Sequence, residues 1–142
     1  FLGGLVVTNN LSNELLSRVI VDDDYSILIH VPDHKSYTKD VNYSGSDEFI
    51  HSLDTLISMT LEGNYLSAMS LNGMIYSRIL KQSNESAILA LKNNALAAGL
   101  SGTGPSVGVI CLSENKSSIL DSWKNLDGDI ITAKINNEKG LI

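Results

Sequence analysis

One stretch constrains the fold of this chain more than any other: Gly99-Leu100-Ser101-Gly102-Thr103-Gly104-Pro105-Ser106. Three glycines and a proline separate two apolar segments, one ending in Ala95-Leu96-Ala97-Ala98 and one running Val107-Gly108-Val109-Ile110-Cys111-Leu112. The second is short and β-branched, the pattern of a buried strand. The first closes a stretch with helical spacing. Glycine adopts positive φ and lets another group approach the backbone closely. Small residues with free N–H groups can form a concave anion site. The loop is therefore built to sit against something, and phosphate is the first candidate. Its order reads helix, glycine loop, strand, and it holds no lysine. A dinucleotide fingerprint runs strand, loop, helix, and a P-loop closes on Gly-Lys-Ser/Thr, so neither fits. A plain helix-to-strand turn with Gly99 as its C-cap is the other reading.

The 142 residues suffice for one domain with a proper core. The net charge of −6, with no basic cluster, argues against a nucleic-acid surface. No apolar run approaches the ~18 residues of a membrane span. Cys111 is the one cysteine, and its place in an apolar strand reads as a buried, inert thiol in a reducing cytoplasm. The chain opens on Phe1-Leu2-Gly3-Gly4-Leu5-Val6-Val7, without Met, charged leader or cleavage site. It reads as the interior of a longer protein.

In order, residues 4–8 read as a strand, and Asn9-Asn10 opens a turn. Residues 14–21 suit a returning strand, with a short helix as the alternative. Asp22-Asp23-Asp24 reads as a solvated turn, because adjacent carboxylates point apart and hard-cation loops space their ligands. Residues 25–31 form a strand that Pro32 stops. His30 and His34 have the spacing of a helical metal pair, but Pro32 lies between them; both read as structural or surface groups, and no metal site is assigned. A helical turn fits residues 36–41. Three helices are expected, over 47–62, 65–81 and from Ser83 or Asn84 to Ala98. Gly73 interrupts the second at a cost of ~1 kcal/mol, which suggests close packing there. Arg78 and Lys81 suit the negative end of that helix. A last amphipathic helix spans 117–126 with Trp123 as a core anchor, and 129–135 alternates as a strand.

Early strands, then helices, then strand, helix, strand favour an α+β fold: an antiparallel sheet with helices on one face and a ferredoxin-like, split β-α-β arrangement.

Ala97-Ala98-Gly99-Leu100-Ser101-Gly102-Thr103-Gly104-Pro105-Ser106 resembles the third motif of the GHMP kinases, the superfamily of galactokinase, homoserine kinase, mevalonate kinase and phosphomevalonate kinase. Its wording is similar to that of the archaeal-type shikimate kinase branch. Phe1 to Asn10 resembles the entry to the C-terminal domain of these enzymes, and Tyr25 to Pro32 with Lys35-Ser36 resembles their strand, Val-Pro and turn. The resemblance implies a cytoplasmic kinase transferring phosphate from ATP, with Mg²⁺, to a hydroxyl of shikimate in chorismate and aromatic amino-acid synthesis. It makes Gly99, Ser101, Gly102, Thr103 and Gly104 a phosphate or substrate loop, with Thr8 and Asn10 lining the cleft between domains. It also implies an N-terminal domain carrying the main ATP loop, Pro-x-x-x-Gly-Leu-Gly-Ser-Ser, which these residues lack. No catalytic residue is assigned within the chain, and residues 1–142, as a C-terminal domain alone, are expected to be inactive. A homoserine or mevalonate-type kinase, a ligand-sensing module of the ACT kind and a purely structural domain are the alternatives. The acceptor and the oligomeric state stay open at this point.

Overall fold

The computed structural model describes residues 3–9, 12–34 and 49–138. Asn10, the Lys35-Ser36 turn, the helical turn expected over 36–41 and the acidic helix start at Asp47-Glu48 lie outside them. Strands β1 (Leu5–Asn9) and β2 (Glu14–Val19) form an antiparallel ribbon. Strand β3 (Tyr25–Val31) follows, then helices α1 (Ile50–Leu61), α2 (Tyr65–Ile79) and α3 (Glu85–Lys92). Strands β4 (Ala95–Leu100) and β5 (Val107–Leu112), helix α4 (Lys116–Ser122) and strand β6 (Asp129–Lys134) complete the order. The second sheet runs β4-β5-β3-β6, every pair antiparallel. From β3 onward this is a βαββαβ unit with the first and third strands at its centre, the ferredoxin-like arrangement expected.

The expected third helix ends six residues early. Ala95 to Ala98 is not its last turn but the start of β4. Asn94, at φ 64°, turns the chain out of α3, a conformation asparagine tolerates better than most residues. Ala97 and Ala98 are both fully buried, so the strand has no wet face and no alternation to betray it. The glycine loop therefore joins two strands, and the helix-loop-strand order read from the sequence is corrected to a β-hairpin.

Helices α3 and α4 cover one face of the sheet. Leu28, Ala98, Val109 and Cys111 meet Ala87, Ala90, Ile119 and Trp123 there. Trp123 is 1% exposed, and its Nε1–H donates to the Ser86 carbonyl at 2.9 Å. His30 stacks on it at 5.6 Å, and its Nε2–H donates to the Asp127 carbonyl at 2.7 Å. The histidine is thus structural.

Helix α2 does something different. It lies against the outer edge of β4, where Ser70 Oγ accepts the Ala98 N–H at 3.1 Å. Covering an edge in this way removes unpaired backbone groups from water. The approach is backbone to backbone: a Cβ on Gly73 would fall on the Gly99 Cα and 2.7 Å from the Leu100 nitrogen. The helical spacing of Tyr65, Leu66, Met69, Tyr76, Ile79 and Leu80 suggests a face of large residues for α2, and that is only partly right. Its buried residues are Ala68, Gly73, Ile75, Ser77 and Ile79, mostly small, as edge packing requires. On α1, Ile57 and Leu61 fall on the apolar side that helical spacing suggests, yet both are exposed.

Beyond β6, the chain returns to the ribbon. Asn137 accepts the Val21 N–H at 3.1 Å and donates to the Val21 carbonyl at 2.8 Å, while Arg18 donates to the Asn137 carbonyl at 2.6 Å.

Gly73→Ala is expected to destabilise the fold by about 3 kcal/mol, since the added methyl meets backbone that cannot rotate away. A urea midpoint equal to that of the unsubstituted chain would contradict the contact.

Candidate functional site

The loop from Ser101 to Ser106 is the tip of the β4–β5 hairpin, with Gly99 opposite Gly108 and Leu100 opposite Val107 at its base. The Ser101 N–H donates to the Ser106 carbonyl at 2.8 Å, and the Gly104 N–H donates to the Ser101 carbonyl at 3.1 Å. The Ser101 and Gly104 N–H groups are therefore spent inside the loop. Gly102 and Gly104 both hold positive φ, 63° and 77°, and Gly104-Pro105 is cis. The two glycines face different surroundings. A Cβ on Gly102 would meet nothing within 4 Å, so its backbone is open to close approach. A Cβ on Gly104 would lie 2.8 Å from Leu100 Cδ1 and 3.2 Å from Gln82 Cγ. Ser101 and Gly102 are exposed, Thr103 half-buried. Gly99 itself is buried against Met69 and Gly73 and serves packing rather than contact with a ligand.

Gln82 carries the loop's surroundings back to the end of α2. There a cavity of about 330 Å³ is lined by Met74, Ser77, Arg78, Lys81, Gln82 and Asn84. The loop has no basic residue of its own, but the fold brings two cations to its neighbour. Sequence reasoning gave Arg78 and Lys81 only to the helix dipole. The approach of Gln82 to Gly104 follows from α2 running along β4, which no spacing in the sequence reveals.

Thr8 lies elsewhere. It lines a groove of about 310 Å³ between β1 and helices α1 and α2, with Leu5, Leu56, Tyr65, Met69 and Asn72 among its walls. The lining of that groove does not include the loop. Met69 links the two regions, its Cε standing 3.8 Å from a Cβ on Gly108. Asn10 lies outside the described residues. Among the described residues, no group of three or more His, Cys, Asp and Glu side chains is placed to hold a metal ion. Asp22 accepts the Asp24 N–H at 3.0 Å, and Asp23 accepts from Asn137 at 2.9 Å, so the acidic run is a hydrogen-bonded turn.

A ferredoxin-like sheet with a glycine hairpin beside a helix end defines a class of domain before any name is attached. The same fold occurs in half of homoserine kinase from Cytophaga hutchinsonii, at a TM-score of 0.67 and 18% identity over 96% of this chain and 50% of that one. It occurs again in mevalonate kinase from L. major, at 0.67 and 14% over 97% and 51%. Residues 51–127 match the family described as GHMP kinases C terminal. The chain belongs to that family. It is 36% identical over 138 residues to shikimate kinase from Methanothermobacter thermautotrophicus, covering 97% of this chain and 47% of the relative. It is 36% identical over 136 residues to shikimate kinase from Methanothrix thermoacetophila, covering 96% and 46%. The chain thus spans about half the length of the curated relatives it matches.

Within β5, burial raises the Cys111 thiol above its ordinary pKa, while Lys116 pulls weakly the other way. The sign follows from linkage. Below about pH 8.5 the thiol is protonated in both states; above it the unfolded chain loses the proton first, so stability falls as pH rises. Cys111→Ala is expected to give a shallower loss of stability from pH ~8 to ~10 than the unsubstituted chain, read from urea midpoints. Parallel slopes would contradict a buried thiol.

Proposed function

We propose that this chain is the C-terminal half of an ATP-dependent kinase whose acceptor is shikimate. One observation carries the reading: 36% identity to shikimate kinases along nearly the whole chain. Homoserine and mevalonate kinases share the fold at 12 to 21% identity when the related decarboxylase is counted with them, and show the fold alone. In this reading an N-terminal domain of the same protein brings the main ATP loop, the reaction is cytoplasmic, and the product is shikimate 3-phosphate.

The residues present fit one wall of a phosphate site. Gly102 has an open backbone at positive φ, and the exposed Ser101 brings its hydroxyl to the same loop. Among the described residues, no group of three or more His, Cys, Asp and Glu side chains gathers beside them. ATP, when bound, supplies the phosphoryl group. An acceptor hydroxyl oxygen would form a bond to the terminal phosphorus as the bond to ADP breaks, with the hydroxyl proton passing to solvent water. Such a transfer is limited by positioning and charge stabilisation. The loop's part is to hold donors at a fixed place: the Gly102 N–H and the Ser101 and Thr103 hydroxyls. The rigid hairpin beneath them keeps those donors from reorganising during transfer.

The test is ADP release by the full-length protein with Mg-ATP and shikimate, homoserine or mevalonate offered in parallel. Turnover on shikimate alone is expected. Turnover on another of the three would keep the superfamily and discard the acceptor; none from a folded protein would discard the kinase. Residues 1–142 by themselves are expected to give no turnover. In the full-length protein, Thr103→Val is expected to lower kcat roughly tenfold, the worth of one hydrogen bond to a charged group. An unchanged kcat would remove that hydroxyl from the mechanism.

A further inference from the structure

We infer that Gln82 is a positioning residue for the glycine loop: its side-chain stem braces Gly104 from outside the hairpin and so fixes where the Ser101 and Gly102 donors stand. This rests on the kinase reading above, from which it takes only that the loop meets the phosphate being transferred.

The contact is the first support. Gly104 holds φ 77°, and the atoms nearest its Cβ position belong to two residues: Leu100, whose Cδ1 lies at 2.8 Å, and Gln82, whose Cγ lies at 3.2 Å. Carbon atoms in ordinary contact stand about 3.5–4.0 Å apart, so residue 104 sits in a slot that closes on its Cα. Leu100 ends β4 and moves with the hairpin. Gln82 belongs to the link between α2 and α3 and is the wall of the slot that comes from outside the hairpin.

The anchoring of Gln82 is the second. A brace works only when it is itself held. Helix α2 closes in a Schellman motif: the Gln82 N–H donates to the Ser77 carbonyl at 2.9 Å, and the Lys81 N–H to the Arg78 carbonyl at 3.4 Å, with Lys81 left-handed at φ 53°. Ser77 is buried, and its hydroxyl donates to the Met74 carbonyl at 2.9 Å. One turn earlier, Gly73 meets Gly99. The two contacts therefore close a frame. Gly73–Gly99 is one end and Gln82–Gly104 the other, with the last part of α2 as one side and the start of the hairpin loop as the opposite side.

The third support is what the loop does not supply for itself. The bonds from the Ser101 N–H to the Ser106 carbonyl and from the Gly104 N–H to the Ser101 carbonyl lie within the loop. They set its shape, not its tilt against the body of the domain. The Gln82 contact sets the tilt at Gly104, two residues from the open backbone of Gly102. Transfer that depends on placed donors is sensitive to such a tilt: a shift of about 1 Å caused from a distance costs up to about 100-fold in rate.

Two variants of the full-length protein test this. Gln82→Ala removes the Cγ; Gln82→Met keeps it on a stem of similar length. In Gln82→Ala, kcat on shikimate is expected to fall about tenfold while KM for ATP and for shikimate changes less than about twofold, the pattern of an interaction realised in the transition state. Gln82→Met is expected to restore most of the rate. Tm is expected to change little in either, since Gln82 is half-buried and outside both helices. Amide hydrogen exchange supplies a readout free of turnover: the Gly104 N–H is expected to exchange faster in Gln82→Ala alone, with the β5 amides unchanged. An unchanged kcat in Gln82→Ala overturns the positioning role while leaving the kinase reading in place. A loss in Gln82→Met as deep as in Gln82→Ala assigns the effect to the amide head and overturns the stem contact. Faster exchange spread through β5 means general loosening and overturns it too. No turnover of shikimate by the unsubstituted protein overturns the kinase reading, and exchange then decides the brace: equal Gly104 rates in the unsubstituted and Gln82→Ala proteins overturn it.

Discussion

The contact between Gly73 and Gly99 sets the position of everything near the candidate site. Two backbones meet there with no side chain between them. Because they do, α2 lies along the β4 edge rather than across a sheet face, and Ser70 reaches the Ala98 N–H. Because α2 takes that line, its C-terminal end stops beside the loop that follows β4. Gln82 arrives next to Gly104 as a consequence of packing at Gly73, nine residues earlier on the chain. A protein interior is dense enough that one added methyl at such a crossing is transmitted rather than absorbed.

The hairpin gives the loop its rigidity. Its base is paired on β5, which is paired in turn on β3 at the centre of the sheet. The loop then closes on itself through the Ser101–Ser106 and Gly104–Ser101 hydrogen bonds. What is left facing outward is a short arc around Gly102 whose donors have little freedom. This is the property that phosphoryl transfer asks of a protein, since the chemistry itself demands placement and charge rather than a reactive side chain. The two glycines divide the work: Gly104 packs toward Gln82, and Gly102 stays open.

Much of this was legible in the sequence, and the failures have physical causes. Strands β3 and β5 could be read because each is a β-branched apolar run between breakers; β6 was read from its alternation, although Ile130 and Ile131 are both exposed. The loop was legible because glycine and proline spacing carries conformational information directly. Ala95 to Ala98 was misread because alanine favours helices on its own and because a strand covered on both sides shows no alternation. The apolar face of α2 was misread for a related reason: its partner is a strand's backbone, so small residues, not large ones, line the contact. Arg78 and Lys81 looked like ordinary helix-end charges. The left-handed backbone at Lys81 is invisible in composition and spacing alike.

The most direct test of the account is a crystal structure of the full-length protein with shikimate and a non-hydrolysable ATP analogue. The account requires the terminal phosphate to lie against the Gly102 backbone, with a shikimate hydroxyl facing it in the same complex. A nucleotide and acceptor that meet away from the hairpin tip would contradict it.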